Sequence, residues 1–295
     1  MAFAEAKTRL ALNHILVATD FSEASRRAMA FAAVLARRHH SELFVANVVE
    51  ETPITSVPMD YLPPEIEREK GLAKRRMDEF LKTSPLRDLK SEVLIESGFI
   101  WPVLEKVVEE RKVDLIVLGT HGRGAIWHLM FGSVAEDICR HATCPVMTLG
   151  PKVKEPSVKN GHLERILFAT DFSEGSLHGL QYALALAEEQ DARLTLLHVI
   201  HPPSLPTNLT DWMIAESDKM LRLLIDADKM PAKRPIFVTL VGIPTDEILV
   251  LAAREKADLI VMGLHKATGA ATHWPFEVFS HVVARAVCPV LSVLA

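Results

Sequence analysis

The sequence predicts an α/β protein: two tandem domains, each an open, twisted, five-stranded parallel sheet with helices on both faces. Two observations predict it. First, short apolar, β-branched runs alternate with helical patterns along the whole chain. Strands with so little polar alternation are covered on both faces, as right-handed βαβ units around a parallel sheet cover them. Second, the chain repeats itself. Residues 14–22 read HILVATDFS and residues 165–173 read RILFATDFS, an offset of 151 from Asp20 to Asp171. Further on, VDLIVLGTH at 113–121 matches ADLIVMGLH at 257–265, and Cys144-Pro145-Val146 matches Cys288-Pro289-Val290, both at an offset of 144. Matches in the same order along both halves indicate duplication.

In the first half the expected strands are Ile15–Thr19, Leu43–Val49, Glu92–Glu96, Leu115–Gly119 and Val146–Leu149, with helices near Glu23–Arg38, Pro64–Leu81, Pro102–Arg111 and Ser133–His141. The second half repeats the strands at Ile166–Thr170, Leu194–Val199, Ile236–Val241, Leu259–Gly263 and Val290–Val293. Ser22 and Ser173 are natural N-caps ahead of the first helix of each half. Pro102 and Pro244 stand early in the third helices, where a missing N–H costs little. Val103, Leu104, Val107 and Val108 form an apolar face that belongs to the core. His39-His40 end a helix, where imidazoles suit the C-terminal dipole. Lys74-Arg75-Arg76, with Glu67, Glu69 and Asp78 nearby, reads as a solvated helix face. Residues 151–160, polar and containing Pro151 and Pro156, are the linker between domains 1–150 and 161–295.

Hydrophobic residues make up 49% and charged residues 24%, a globular composition. The net charge of −5 provides no general field for nucleic acid or an anionic membrane, so neither is an expected partner. Cys139, Cys144 and Cys288 fit no disulfide framework and no zinc-ligand spacing, and read as reduced thiols of a cytoplasmic protein. No signal-peptide pattern stands at the N-terminus, and no apolar run reaches the roughly 18 residues of a membrane span.

The chemistry gathers after the fourth strand, where the sequence runs from Gly119 through Gly122 to Gly132-Ser133-Val134. Glycines let backbone N–H groups approach an anion without an intervening Cβ, and the N-terminus of the next helix adds donors and partial positive charge. The alternative is an ordinary loop with turn glycines and a serine cap. The spacing G-x2-G-x9-G-[S/T], met at Gly119, Gly122, Gly132 and Ser133, resembles the nucleotide motif of the universal stress proteins. The Ala-Thr-Asp-Phe-Ser after strand one and the Cys-Pro-Val opening strand five are similar to that family too, and the resemblance spans both halves. It implies a Rossmann-like fold, similar to the adenine nucleotide alpha hydrolases, with strand order 3-2-1-4-5. Strands one and four then meet where the order reverses, the place at which open α/β sheets bind ligands.

By this resemblance Ala18, Thr19 and Asp20 line the adenosine end, and Val48 and Leu118 pack on adenine. Gly119, Gly122, Gly132, Ser133 and Val134 hold ribose and phosphates, with His121 and Arg123 as further phosphate partners. A helix-capping role for Asp20 and solvated loop positions for His121 and Arg123 are the competing readings. The expected cofactor is ATP, ADP or AMP, with or without Mg2+; no metal cluster and no catalytic constellation is readable. The expected function is a cytoplasmic, nucleotide-binding stress-response regulator with at most weak ATP hydrolysis. The alternatives are an ATPase or adenylyl-transferring enzyme, or a scaffold for an unidentified protein partner with incidental nucleotide.

The second half departs from the motif: Lys266, Phe276 and Glu277 stand where Gly122, Gly132 and Ser133 stand in the first. One expectation is that Glu277, paired with Lys266, fills the place of the anion; the other is decay into an ordinary helix start. Strand five of each half, Val146–Leu149 and Val290–Val293, is an apolar edge needing cover. In the family two domains pair through these strands, so an intrachain pseudo-dimer is expected, with a further homodimer open.

Overall fold

The computed structural model describes residues 12–51, 64–120, 131–154, 161–201, 207–226, 230–265 and 273–295. The first half forms β1 (His14–Ala18), α1 (Glu23–His39), β2 (Glu42–Glu50), α2 (Pro64–Lys82), β3 (Ser91–Gly98), α3 (Ile100–Arg111), β4 (Leu115–Gly119), α4 (Ser133–His141) and β5 (Val146–Leu149). The second forms β6 (Arg165–Thr170), α5 (Glu174–Glu189), β7 (Arg193–Ile200), α6 (Thr207–Leu223), β8 (Ile236–Val241), α7 (Pro244–Glu255), β9 (Leu259–Leu264), α8 (His273–Arg285) and β10 (Val290–Leu294). Strand and first-half helix limits agree with the expected ones to within two residues at an end.

Local chemistry accounts for the helix limits. Ser22 and Ser173 accept the N–H of Ser25 and Ser176, satisfying donors that α1 and α5 cannot bond internally. Pro244 opens α7 at its first turn, where its lack of an N–H costs no bond. The chain leaves α1, α3 and α7 through left-handed residues His40, Lys112 and Lys256, at φ 56°, 50° and 54°. Lys74, Arg75 and Arg76 are exposed on α2.

The strand order is β3-β2-β1-β4-β5-β10-β9-β6-β7-β8. Each half is parallel throughout and runs 3-2-1-4-5, as expected. The halves are joined by the antiparallel pair β5–β10, with Met147 opposite Leu291, so the two five-stranded sheets form one ten-stranded sheet. Two buried hydroxyls are satisfied at this junction: Thr148 Oγ1 donates to the Val290 carbonyl at 3.0 Å and Ser292 Oγ to the Val146 carbonyl at 3.3 Å.

Alternate residues of each strand face opposite cores. Ile15 and Val17 pack with α1 and α2, on the face that α5 and α6 cover in the second half. Leu16, Ile116, Leu167 and Ile260 face α3, α4, α7 and α8. Both cores run unbroken across the junction. Leu104, Val107 and Val108 are buried in the second of them, together with Trp101.

Candidate functional site

β1 and β4 are neighbours, and the helices that follow them, α1 and α4, leave to opposite faces, so a crevice opens beyond their C-terminal ends. A tight turn forms one wall. Thr19 Oγ1 accepts the Phe21 N–H at 3.0 Å, and Asp20 Oδ1 accepts the Ser22 N–H at 3.0 Å and the Ser25 hydroxyl at 2.8 Å. These bonds hold Phe21 at φ 65°, a region that residues with a Cβ rarely enter. The second half repeats the device: Thr170 accepts from Phe172 and Asp171 from Ser173, both at 3.0 Å, with Phe172 at φ 63°. The Thr-Asp-Phe-Ser run is therefore a structural turn in both halves, which accounts for its presence in the half whose loop has changed. Burial pushes the Asp20 carboxyl up, but the hydrogen bonds from Ser22 and Ser25 outweigh it and hold Asp20 below its ordinary value.

Glycines are required beside this turn for two different reasons. A Cβ on Gly119 would lie 2.6 Å from the Ala24 carbonyl carbon and oxygen, so this glycine lets α1 settle onto the end of β4. Gly263, its counterpart, meets Gly175 in the same way, with a built Cβ only 2.0 Å from the Gly175 oxygen. Gly119 is thus demanded by packing whether or not a ligand is near. Gly132 is different. It caps α4 with φ −65° and ψ 139°, donates its N–H to the Thr120 carbonyl at 3.1 Å, and would place a Cβ 2.5 Å from that oxygen. No side chain caps α4, unlike α1 and α5. Ser133 is the first helical residue rather than the cap, so the first-turn N–H groups open toward the crevice.

Between these walls lies a cavity of about 700 Å³. Ala18, Thr19, Asp20, Val48, Leu118, Gly119, Gly132, Ser133 and Val134 all line it. His121, Gly122 and Arg123 lie outside the described residues. Sequence reasoning missed Ser25, Asn47, Ile100, Leu104, Phe131 and Glu136, which line it as well. Asn47 Nδ2 donates to the Thr19 carbonyl at 2.7 Å and ties β2 to the turn. Val48, Ile100, Leu104 and Leu118 supply apolar lining, whereas the first-turn N–H groups of α4 and Glu136 supply polar groups. Glu136 is held by Arg140 at 2.9 Å. Such a cavity suits a flat, apolar-faced group carrying an anionic tail that ends on helix N–H groups. Among the described residues, no cluster of side chains has the make-up of a metal site.

The second half is built differently, and corrects the expectation for Glu277. α8 starts at His273, a turn earlier than α4 does at the 144-residue offset. Pro275 falls in its first turn, where a missing N–H is harmless. Phe276 and Glu277 therefore lie inside the helix, and its first turn contains no acidic residue. Glu277 is exposed to solvent, so it does not fill the place of an anion; Lys266 lies outside the described residues. Phe276 is buried instead. At the position of Asn47, His198 turns Nδ1 to the Thr170 carbonyl at 2.9 Å. A carbonyl only accepts, so Nδ1 carries the proton, while burial holds the imidazole below its ordinary pKa.

Comparison with known proteins agrees with this architecture. The model of the universal stress protein family matches residues 11–149 and again residues 162–293. A universal stress protein of Methanocaldococcus jannaschii is 28% identical over 144 residues, covering 48% of this chain and 84% of its own. The universal stress protein A homolog 1 of Coxiella burnetii is 32% identical over 145 residues, covering 47% of this chain and 96% of its own. The crystal structure of a universal stress protein from Archaeoglobus fulgidus shares the fold over 97% of both chains, with a TM-score of 0.64 at 19% identity. Two family matches in tandem, on two halves of one 3-2-1-4-5 design, establish that the chain belongs to the universal stress protein family.

Proposed function

We propose that the first half binds an adenine nucleotide, ATP, ADP or AMP, and that the protein acts as a nucleotide-responsive regulator. One observation carries this reading. The glycine-opened start of α4, which no side chain caps, faces a cavity of about 700 Å³ also lined by the apolar Val48, Ile100, Leu104 and Leu118, at the crossing point of the strand order. Adenine lies between Val48 and Leu118, ribose near Asp20, and the phosphates on the N–H groups of Gly132, Ser133 and Val134. His121, Gly122 and Arg123 complete the phosphate end, with Mg2+ as a counter-ion of a triphosphate. The carboxylates among the described lining residues are both engaged, Asp20 by Ser22 and Ser25 and Glu136 by Arg140. That supports holding nucleotide rather than activating water.

Mass spectrometry of small molecules carried through purification, with isothermal titration of ATP, tests the proposal. One nucleotide per chain, lost in Gly132→Ala with folding retained, is the expected result. No binding, or two equivalents per chain, refutes it.

A further inference from the structure

We infer that the second half braces the proposed nucleotide site of the first, with Phe276 as a positioning residue for its phosphate end. This inference rests on the nucleotide reading. Phe276 occupies the position of Gly132, and its ring reaches across the junction to the first half. It meets Phe131 edge-on at 5.8 Å between centroids and packs on Phe279 at 5.7 Å, while Phe279 meets Phe131 at 5.5 Å. Phe131 lines the cavity one residue before the glycine that caps α4. The close seat of α8 has a backbone cause: a Cβ on Gly150, just after β5, would lie 2.0 Å from the Val283 carbonyl oxygen.

A second connection runs through charge. Glu136 lines the cavity in the first turn of α4, where an uncompensated carboxylate repels a phosphate. Arg140 neutralises it, with Nε and Nη2 both 2.9 Å from Glu136 Oε1. A pair four residues apart on a half-exposed helix holds itself only weakly. Here the guanidinium lies over the Phe276 ring, 3.8 Å from Cζ to the centroid, within cation–π range. The ring keeps Arg140 on Glu136, and so keeps the phosphate end from turning anionic. An aromatic cluster that merely fills the junction makes no distinction between charged and uncharged ligands. A brace acting through Glu136 does.

The test uses the full chain. In Phe276→Ala, ATP affinity falls about tenfold while adenosine affinity changes by less than about twofold. Phe276→Leu keeps the apolar volume without the ring face; its melting temperature stays close to that of the unaltered protein and its ATP affinity falls about fivefold. Adding Glu136→Gln to Phe276→Ala restores ATP binding to within about threefold, because the charge to be neutralised is gone. Equal losses for ATP and adenosine, or no restoration by Glu136→Gln, overturn the inference. Hydrogen exchange on unliganded protein separates it from the nucleotide reading. Phe276→Ala is expected to raise deuterium uptake across residues 131–140 and leave that of residues 14–20 unchanged. If the unaltered protein binds no nucleotide, that reading fails, and the exchange decides the brace: raised uptake supports it, unchanged uptake overturns it.

Discussion

Gly119 and Gly263 supply the sharpest test of what a motif glycine does in this fold. In Gly119→Ala the new Cβ meets the Ala24 carbonyl carbon and oxygen at 2.6 Å. Ordinary contact begins near 3.4 Å, so the start of α1 must retreat by about 0.8 Å from the end of β4. The obstacle is backbone, and no rotamer change relieves it. Overpacking of this kind costs about 1–3 kcal/mol, and we expect the upper part of that range. Gly263→Ala meets the Gly175 oxygen at 2.0 Å and the Ser176 Cα at 2.4 Å. Its cost is at least as large, about 3 kcal/mol, although the second half lacks the loop motif. Urea unfolding of both variants, compared at constant m, measures this directly. Destabilisation of both, with Gly263→Ala the worse, supports a packing role shared by the two halves. A neutral Gly263→Ala beside a Gly119→Ala that loses nucleotide without losing stability refutes the reasoning, because Gly119 is then a ligand glycine alone.

The remaining predictions concern stability and reactivity. Gly71 stands inside α2 with no atom within 4 Å of a built Cβ, so Gly71→Ala is expected to stabilise by about 0.5–1 kcal/mol in the same urea assay. Burial pushes the thiols of Cys139, Cys144 and Cys288 from 9.0 up to about 12, so iodoacetamide at pH 8 should label them only after unfolding. The same shift makes stability fall with alkali: the unfolded thiols ionise near 9 while the folded ones stay protonated. Up to about 1.4 kcal/mol per thiol is then lost for each pH unit between 9 and 12, read as a falling urea midpoint. His39, buried at the end of α1 with Nδ1 3.1 Å from Glu189 Oε1 of α5, is held below its ordinary value by burial, against the pull of Glu189. Its contribution is present above 6.5 and lost as pH falls, so His39→Asn should flatten the decline in urea midpoint between pH 7.5 and 5.5.

The fold was legible because the strands are short, apolar and bounded by turn residues, and because each half repeats the pattern of the other. About half of the lining residues of the cavity were legible, through the loop motif, the strand-one turn and the family resemblance. Others were not, for reasons that differ. Ile100 and Leu104 look like any core face of a helix, and only the strand order brings them over the crevice. Asn47 has a signal only in the repeat: the 151-residue offset sets it against His198, a polar side chain at the same place in both second strands. Glu277 was misplaced because α8 was aligned on α4. Pro275 carried the contrary signal, a residue suited to a first helical turn, and it moves the helix start back so that Phe276 rather than Glu277 is the buried one. The partnership of Phe276 with Phe131 joins residues of different halves and had no local signal.

The β5–β10 junction has a genetic consequence. In an assembly of identical subunits, any substitution appears in every copy, so an aromatic side chain at the Gly132 position would alter all sites together. Joining the two halves in one polypeptide removes that constraint. The polypeptide can carry glycine at 132 and phenylalanine at 276, in the two halves of one continuous sheet. Each half is then answerable to mutation separately, and a change harmful to a site in one can be retained for what it does to the other.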